Sequence, residues 1–433
     1  MGLTLKHIRE MERLLHYVWK YKLYAPDTLV TAEGEPVSVI DTGIQNTDAG
    51  PDFFNAKVKI GKTVWAGSVE IHERASDWMR HHHDKDRAYD SVILHLVGTD
   101  DVPISRTNGE RIPQALLPVP EQVRKNIDWL LHREISIPCL SSIKYIESIQ
   151  LTLWIDALLY ERLERKTKDI LQLLVQYKDD WNEVFYVTLT RYFGFGVNND
   201  AFERLAKSLP FRYLLKQRSS SSQIESMLFG QTGMLDETLN DHYYRLLQQE
   251  YKFLRTKFGL EPLDKSLFRS LRVRPVNFPH IKLAQLAAIL YRYDTLFSRI
   301  LEEVNPVEVK KLFRVQPSDY WETHFHFRGT SPKSVKTLGE NALNVLLINT
   351  VAPMLFAYGH KNGLPEYGER AIALLESLPP EKNQIVATFN HAGIRAQHAG
   401  DSQALIQLKR EYCEKKKCLY CRIGFRVLKC LRL

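Results

Sequence analysis

Asp52, Glu70, His72 and His83 lie in the part of the chain richest in groups that bind cations or move protons. Five of the 15 histidines (His72, His81, His82, His83 and His95) fall between positions 72 and 95. Asp41, Asp48, Glu73, Asp77, Asp84 and Asp86 surround them. In a strand, residues two apart share a face, so Glu70 and His72 project together while Val69 and Ile71 face the other way. Ala66 and Ser68 continue that face with small side chains and leave space beside the acid. Gly50-Pro51-Asp52 enters the partner strand, from which Asp52 reaches the Glu70 face across one strand spacing. Two convergent carboxylates make a hard oxygen site for Mg²⁺ or Mn²⁺, which takes one or two carboxylates, waters and a substrate phosphate. An ion held there polarises a phosphodiester and activates a water, with a neighbouring imidazole to handle the proton. The plainer alternative has Asp52 capping a turn and Glu70 pairing with Lys57. For the triplet His81-His82-His83, a helix spreads the side chains over about 200° of arc, so one of His81 or His83 faces the site and the others do not. His95 reads equally well as a hydrogen-bonded core histidine.

The elements that must position these residues follow from periodicity. Leu5, Ile8, Met11, Leu14, Leu15, Val18 and Trp19 have helical spacing and predict an amphipathic helix over 4–24. From Val37 to Val97 the pattern is β-type. A strand at 37–40 precedes a hairpin over 53–72 that turns at Gly61-Lys62. Residues 76–90 predict a short helix with Ser76 as N-cap and Trp78 packed inward. Ser91–Val97 is an apolar run that reads as a buried central strand. Residues 102–117 predict a second hairpin, turning at Asn108-Gly109 in type I′ geometry. Beyond Pro118 the periodicity is helical, in segments over 121–133, 147–177, 180–193, 199–216, 236–258, 280–304, 307–314, 334–357, 366–377 and 399–416. Arg218 to Gln223, with its serine run, reads as a loop. The expected class is α+β: an α/β module over 1–135, then a large all-α region over 136–433.

Gly50-Pro51-Asp52, then 17 residues, then Glu70-Ile71-His72, resembles the PD-(D/E)XK signature of restriction-endonuclease-like phosphodiesterases. The element order also resembles that fold's αβββαβ core. The resemblance implies that Asp52 and Glu70 bind the metal, that Glu12 on the first helix supplies a further acid, and that His72 stands where the family has a water-assisting Lys. The whole chain further resembles an uncharacterised bacterial family, a domain of unknown function, from the GPDFFNAK and SVEIHERASDW stretches to the cysteine tail.

That tail spaces Cys413, Cys418 and Cys421 as Cys-x4-Cys-x2-Cys. The CxxC portion has zinc-knuckle spacing, and three thiolates are one short of a closed site. Cys139 is the foremost fourth ligand, with Cys430, His391 and His398 as alternatives. The arrangement resembles nucleases in which a distant Cys and a C-terminal triplet hold an iron–sulfur cluster. Spacing leaves zinc and iron–sulfur both open.

Net charge is +8 with a pI near 9.0, and nine Lys or Arg against two Glu crowd 409–432 among Tyr412, Tyr420 and Phe425. This balance favours nucleic acid as partner. No run of 18 apolar residues occurs, so neither a transmembrane helix nor a membrane partner is expected. The charged N-terminal stretch and five cysteines, three of them in one short cluster unlike a secreted disulfide framework, lead to a cytoplasmic protein as the expectation. Walker A, GxSxG and dinucleotide fingerprints do not occur, which disfavours NTPase, serine hydrolase and Rossmann dehydrogenase functions. A metal-dependent nuclease is the leading expectation. A non-catalytic nucleic-acid-binding or scaffold protein that retains a nuclease-like fold is the alternative.

Overall fold

The structure, a computed structural model, describes residues 5–25, 28–46, 49–132 and 137–430; Asp48 lies outside them. Two compact units divide the chain. Residues 1–151, 392–394 and 408–433 form the first, and 152–391 with 395–407 the second. Sequence reasoning instead drew the line near 135 and left the tail with the helices. The tail returns because its last helix, Arg422–Cys430, has one apolar side to bury. Ile423, Val427 and Leu428 are buried, and the Phe425 ring lies 4.7 Å from that of Tyr21. Asn126 completes the join by donating from Nδ2 to the Val427 carbonyl at 3.0 Å.

The first unit is a mixed sheet flanked by helices. Helix α1 (Leu5–Lys20) leads into β1 (Val37–Asp41), the short β2 (Ile44–Gln45), β3 (Phe53–Ile60) and β4 (Thr63–Arg74). The β3–β4 hairpin turns at Gly61, whose positive φ is open to glycine at little cost. A crossover over 75–91 then runs to β5 (Val92–Thr99), which pairs parallel to β4; β6 (Gln114–Leu116) adds parallel to β5. The sheet order is β1-β3-β4-β5-β6, with β2 also on β3. Helix α1 packs on β4, so residues 68–72 are buried on both faces rather than alternately exposed.

Two local expectations change. Of Asn108 and Gly109 only Gly109 has positive φ, whereas a type I′ turn needs it at both central positions. Gly109 N bonds to Arg106 O and Arg106 N to Glu110 O, the three-residue hairpin pattern. Residues 76–90 break into α2 (Asp77–Arg80) and two 3₁₀ turns, His83–Lys85 and Arg87–Tyr89. Ser76 makes no cap bond along α2; its hydroxyl donates to Asp101 instead.

The second unit is helical, apart from a two-stranded ribbon of β7 (His324–His326) and β8 (Gly329–Thr330). The helices follow the periodic segments, with added helices at Gln384–His391 and at Ser221–Gln231, where the serine run opens a helix instead of a loop. Continuous helix over Glu340–Asn362 is, against expectation, long and apolar enough to cross a membrane by length and composition. Of its most apolar window, 72% is buried inside the protein.

Candidate metal centre

The hairpin, the crossover and α1 meet at one end of β4. Gly50, at positive φ, swings the chain into β3, and Asn46 holds the turn by donating from Nδ2 to Pro51 O at 3.1 Å. This sets Asp52 beside Glu70 in a reciprocal clasp. Asp52 N donates to Glu70 Oε2 at 2.9 Å, and Asp52 Oδ2 accepts from Ile71 N at 3.0 Å. The two acids are thus held side by side, each by a main-chain N–H of the other's strand. Lys57 is exposed opposite Ala66 in the hairpin, so it takes no part.

The imidazoles depart most from the sequence reading. His72 Nε2, His81 Nδ1 and His83 Nε2 converge, and the ligand atoms of His72, His81 and His83 all lie within 4.8 Å of one another. His81 and His83 both face the centre because the triplet is not helical. His82 sits in the left-handed region at φ 63° and reverses the chain between them. Trp78, fully buried with Val92, Ile104 and Ile112, pins the crossover. The Tyr89 ring stacks on His83 at 3.7 Å and fixes its plane. Glu70 Oε1 stands 3.4 Å from His83 Nε2 and 3.6 Å from His72 Nε2. His81 Nδ1 is 3.2 Å from His72 Nε2. A tetrahedral ion with bonds of about 2.1 Å keeps its ligands roughly 3.4 Å apart, close to these three separations.

A relay behind His72 sets its tautomer. Gln114 Nε2 donates to Asp100 and, at 3.1 Å, to Val102 O; both can only accept, so Gln114 Oε1 faces the other way. It accepts from His95 Nδ1 at 3.2 Å, which leaves His95 Nε2 bare to accept from His72 Nδ1 at 2.8 Å. The bare nitrogen of His72 is then Nε2, and its lone pair meets a carboxylate oxygen. A proton or a cation between them removes that repulsion.

The electrostatics agree. Burial, then the Asp52 charge, pushes the Glu70 carboxyl up to about 9. Burial lowers His72 well below its ordinary value and also lowers His81 and His83, which favours the neutral imidazoles that bind metals. His95, buried and likewise neutral, is pushed down to about 4. His16 on α1 goes the other way. Burial alone would lower it, but Asp52 Oδ2, 3.1 Å from its Nε2, and the neighbouring acids raise it. Glu12 stands one turn earlier and is raised by burial.

Of the residues singled out in the sequence, Asp52, Glu70, His72 and His83 are brought together. His72 is 1% exposed and held by His95. Asp41 accepts from Gly43 N in an exposed turn, Asp86 accepts from Ala88 N and Asp77 pairs with Arg80, so these three serve the local backbone and surface. His16 and Gln114 were missed. His16 was within reach, since it shares a helix face with Glu12 at i, i+4 spacing; Gln114 carried no local signal. Cys139, Cys413, Cys418 and Cys421 all belong to the first unit and form no disulfide. His391 and His398 belong to the second unit, and the Cys430 side chain lies outside the described residues.

No curated protein and no solved structure matches the chain. The family model described as protein of unknown function DUF2851 matches residues 12–384, from within α1 through the imidazole cluster and most of the helices, and the chain belongs to that family.

Proposed function

We propose that the chain is a metal-dependent phosphodiesterase acting on nucleic acid. The observation that carries this reading is the convergence of three imidazoles, with Glu70 Oε1 within 3.6 Å of two of them. His72, His81, His83 and Glu70 would hold a divalent ion, and such an ion supplies Lewis acidity toward a phosphodiester. Three nitrogens and one oxygen suit Mn²⁺, Zn²⁺ or Fe²⁺ better than Mg²⁺, a shift from the two-carboxylate site expected from sequence. Asp52 orients Glu70 through the backbone and holds His16, whose ring is the proton donor nearest the acids. His81, exposed at the rim, leaves the centre open toward solvent. The order α1, β1, hairpin, crossover, parallel β5 supports the likeness to restriction-endonuclease-like enzymes, and the net charge of +8 supports an anionic substrate.

The test is cleavage of end-labelled single- and double-stranded DNA and RNA by the full-length chain with Mg²⁺, Mn²⁺, Zn²⁺ or Fe²⁺. Ion-dependent cleavage is expected, falling about 100-fold or more in Glu70→Gln and His83→Ala. Tight binding of nucleic acid without cleavage under every ion would replace this reading by the scaffold alternative. Neither binding nor cleavage would end both.

A further inference from the structure

The basic tail is untouched by the chemistry of the imidazole centre, yet the fold sets part of it beside an aromatic cluster on α1. Tyr17 and Tyr21 are four residues apart on α1 and the turn that ends it, where Tyr21 N still bonds to Tyr17 O at 3.2 Å. Their ring centroids are 4.9 Å apart. Phe425 of the terminal helix completes the cluster, 4.7 Å from Tyr21 and 6.1 Å from Tyr17. Three cations border it. Lys20 Nζ stands 5.7 Å from the centre of the Tyr21 ring, and the Arg426 guanidinium and Lys429 Nζ stand 5.8 and 5.6 Å from that of Phe425. Arg422, Arg426 and Lys429 recur at i, i+4 and i+7, a basic stripe beside the side that buries Ile423 and Val427.

Aromatic contacts of this kind also fasten helices inside a core, but two observations set this cluster apart. Its rings are not sealed in: Tyr21 is 40% exposed and Phe425 half-buried. Its cations are not neutralised within the fold, since among the described residues no carboxylate lies within ion-pair distance of Lys20, Arg426 or Lys429. The patch also adjoins the imidazole centre. Lys20 follows His16 by four residues, about 6 Å along the helix. Its Nζ donates to Gln45 Oε1 at 3.0 Å, and Gln45 lies opposite Phe53, the neighbour of Asp52. His16 meets Asp52 itself at 3.1 Å.

We propose that Tyr21 and Phe425, with Lys20, Arg426 and Lys429, form a platform that binds single-stranded nucleic acid and leads it toward the imidazole centre. The second half of this statement rests on the nuclease reading; the first does not. Unpaired bases present the flat faces that Tyr21 and Phe425 can stack on, and their phosphates meet the cations around the rings. A duplex hides those faces between its base pairs. An acidic peptide would satisfy the cations and leave the rings unused. The return of the tail to the first unit thus builds a surface that neither α1 nor the terminal helix has alone.

The test is fluorescence anisotropy of end-labelled oligo(dT), oligo(rU) and a duplex of equal length with the full-length chain, in EDTA and at rising salt. Single strands should bind at least about 10-fold more tightly than the duplex. Tyr21→Leu keeps an apolar side chain against Phe425 but has no ring face, and should weaken single-strand binding about 10-fold. Lys429→Glu, at an exposed position, should weaken it and lower the slope of its salt dependence by about 1 or more. His83→Ala should bind as the parent does, and all three variants should keep its far-UV circular dichroism. Because nothing is cleaved in EDTA, the two readings fail separately. Strands that bind this way but are cut under no ion leave the platform standing without the nuclease. Cleavage by the parent, with Tyr21→Leu and Lys429→Glu binding single strands as tightly as it does, would overturn the platform alone. Duplex bound as tightly as single strands would overturn it too, as would phosphatidylserine vesicles bound in preference to oligonucleotides.

Discussion

His72 uses both ring nitrogens, and the roles are ordered from behind. Gln114 selects the His95 tautomer, His95 selects that of His72, and Nε2 is left bare toward Glu70. Replacing Gln114 with Leu removes the acceptor for His95 Nδ1 without touching any residue of the imidazole cluster. Metal affinity at the imidazole site should fall about 10–100-fold, read by competition with a chromophoric chelator. Unchanged affinity would mean that the relay does not set the ligand. How legible these residues were depends on range. Glu70 and His72 were readable because a strand's two-residue period fixes which side chains share a face. Gln114 was not, since its role exists only after β6 has paired beside β5.

At the scale of elements, the crossover over 75–91 decides the site. A regular helix there would have pointed His81 and His83 apart, which is why the helical assumption allowed only one of them. His82 breaks the helix by taking a left-handed conformation that costs a residue with a Cβ about 1 kcal/mol or more. Glycine takes the same conformation freely. His82→Gly should therefore keep full metal affinity and leave stability equal or up to about 1 kcal/mol higher, measured by urea denaturation. Lost metal binding in that variant would show that the His82 ring, rather than the reversal it makes, is needed. The strands were legible because their apolar alternation is local. The break was not, because Trp78 seats the crossover on Val92, Ile104 and Ile112, residues far along the chain.

At the scale of the molecule, the sequence yielded most of the helices of the second unit but not the return of the tail to the first. Helical periods are written locally, whereas the return depends on what Ile423, Val427 and Leu428 find to bury against. The second unit carries its own pH dependence, through His280 near the start of the helix Pro279–Arg292. Its ring lies among Phe229 and Phe327, with centroids 6.2 and 5.6 Å away, and its Nδ1 has no hydrogen-bond partner. Burial, with His326 nearby, pushes it down to about 4, and the positive end of the helix acts in the same direction. The unfolded chain takes up a proton near pH 6.5, whereas the folded protein declines it until about pH 4. Stability from this group is thus fully present above pH 6.5, drains as pH falls toward 4 and is flat below. Going from pH 7.5 to pH 5 should cost about 2 kcal/mol through His280 alone. In His280→Leu, which carries no titrating group there, the loss over the same interval should be smaller by that amount. The measurement is the pair of urea transitions at the two pH values for each variant. Since the comparison is between pH values within one variant, a change in absolute stability from the substitution does not enter. Equal losses in the two proteins would show that His280 stays accessible to protons in the folded unit.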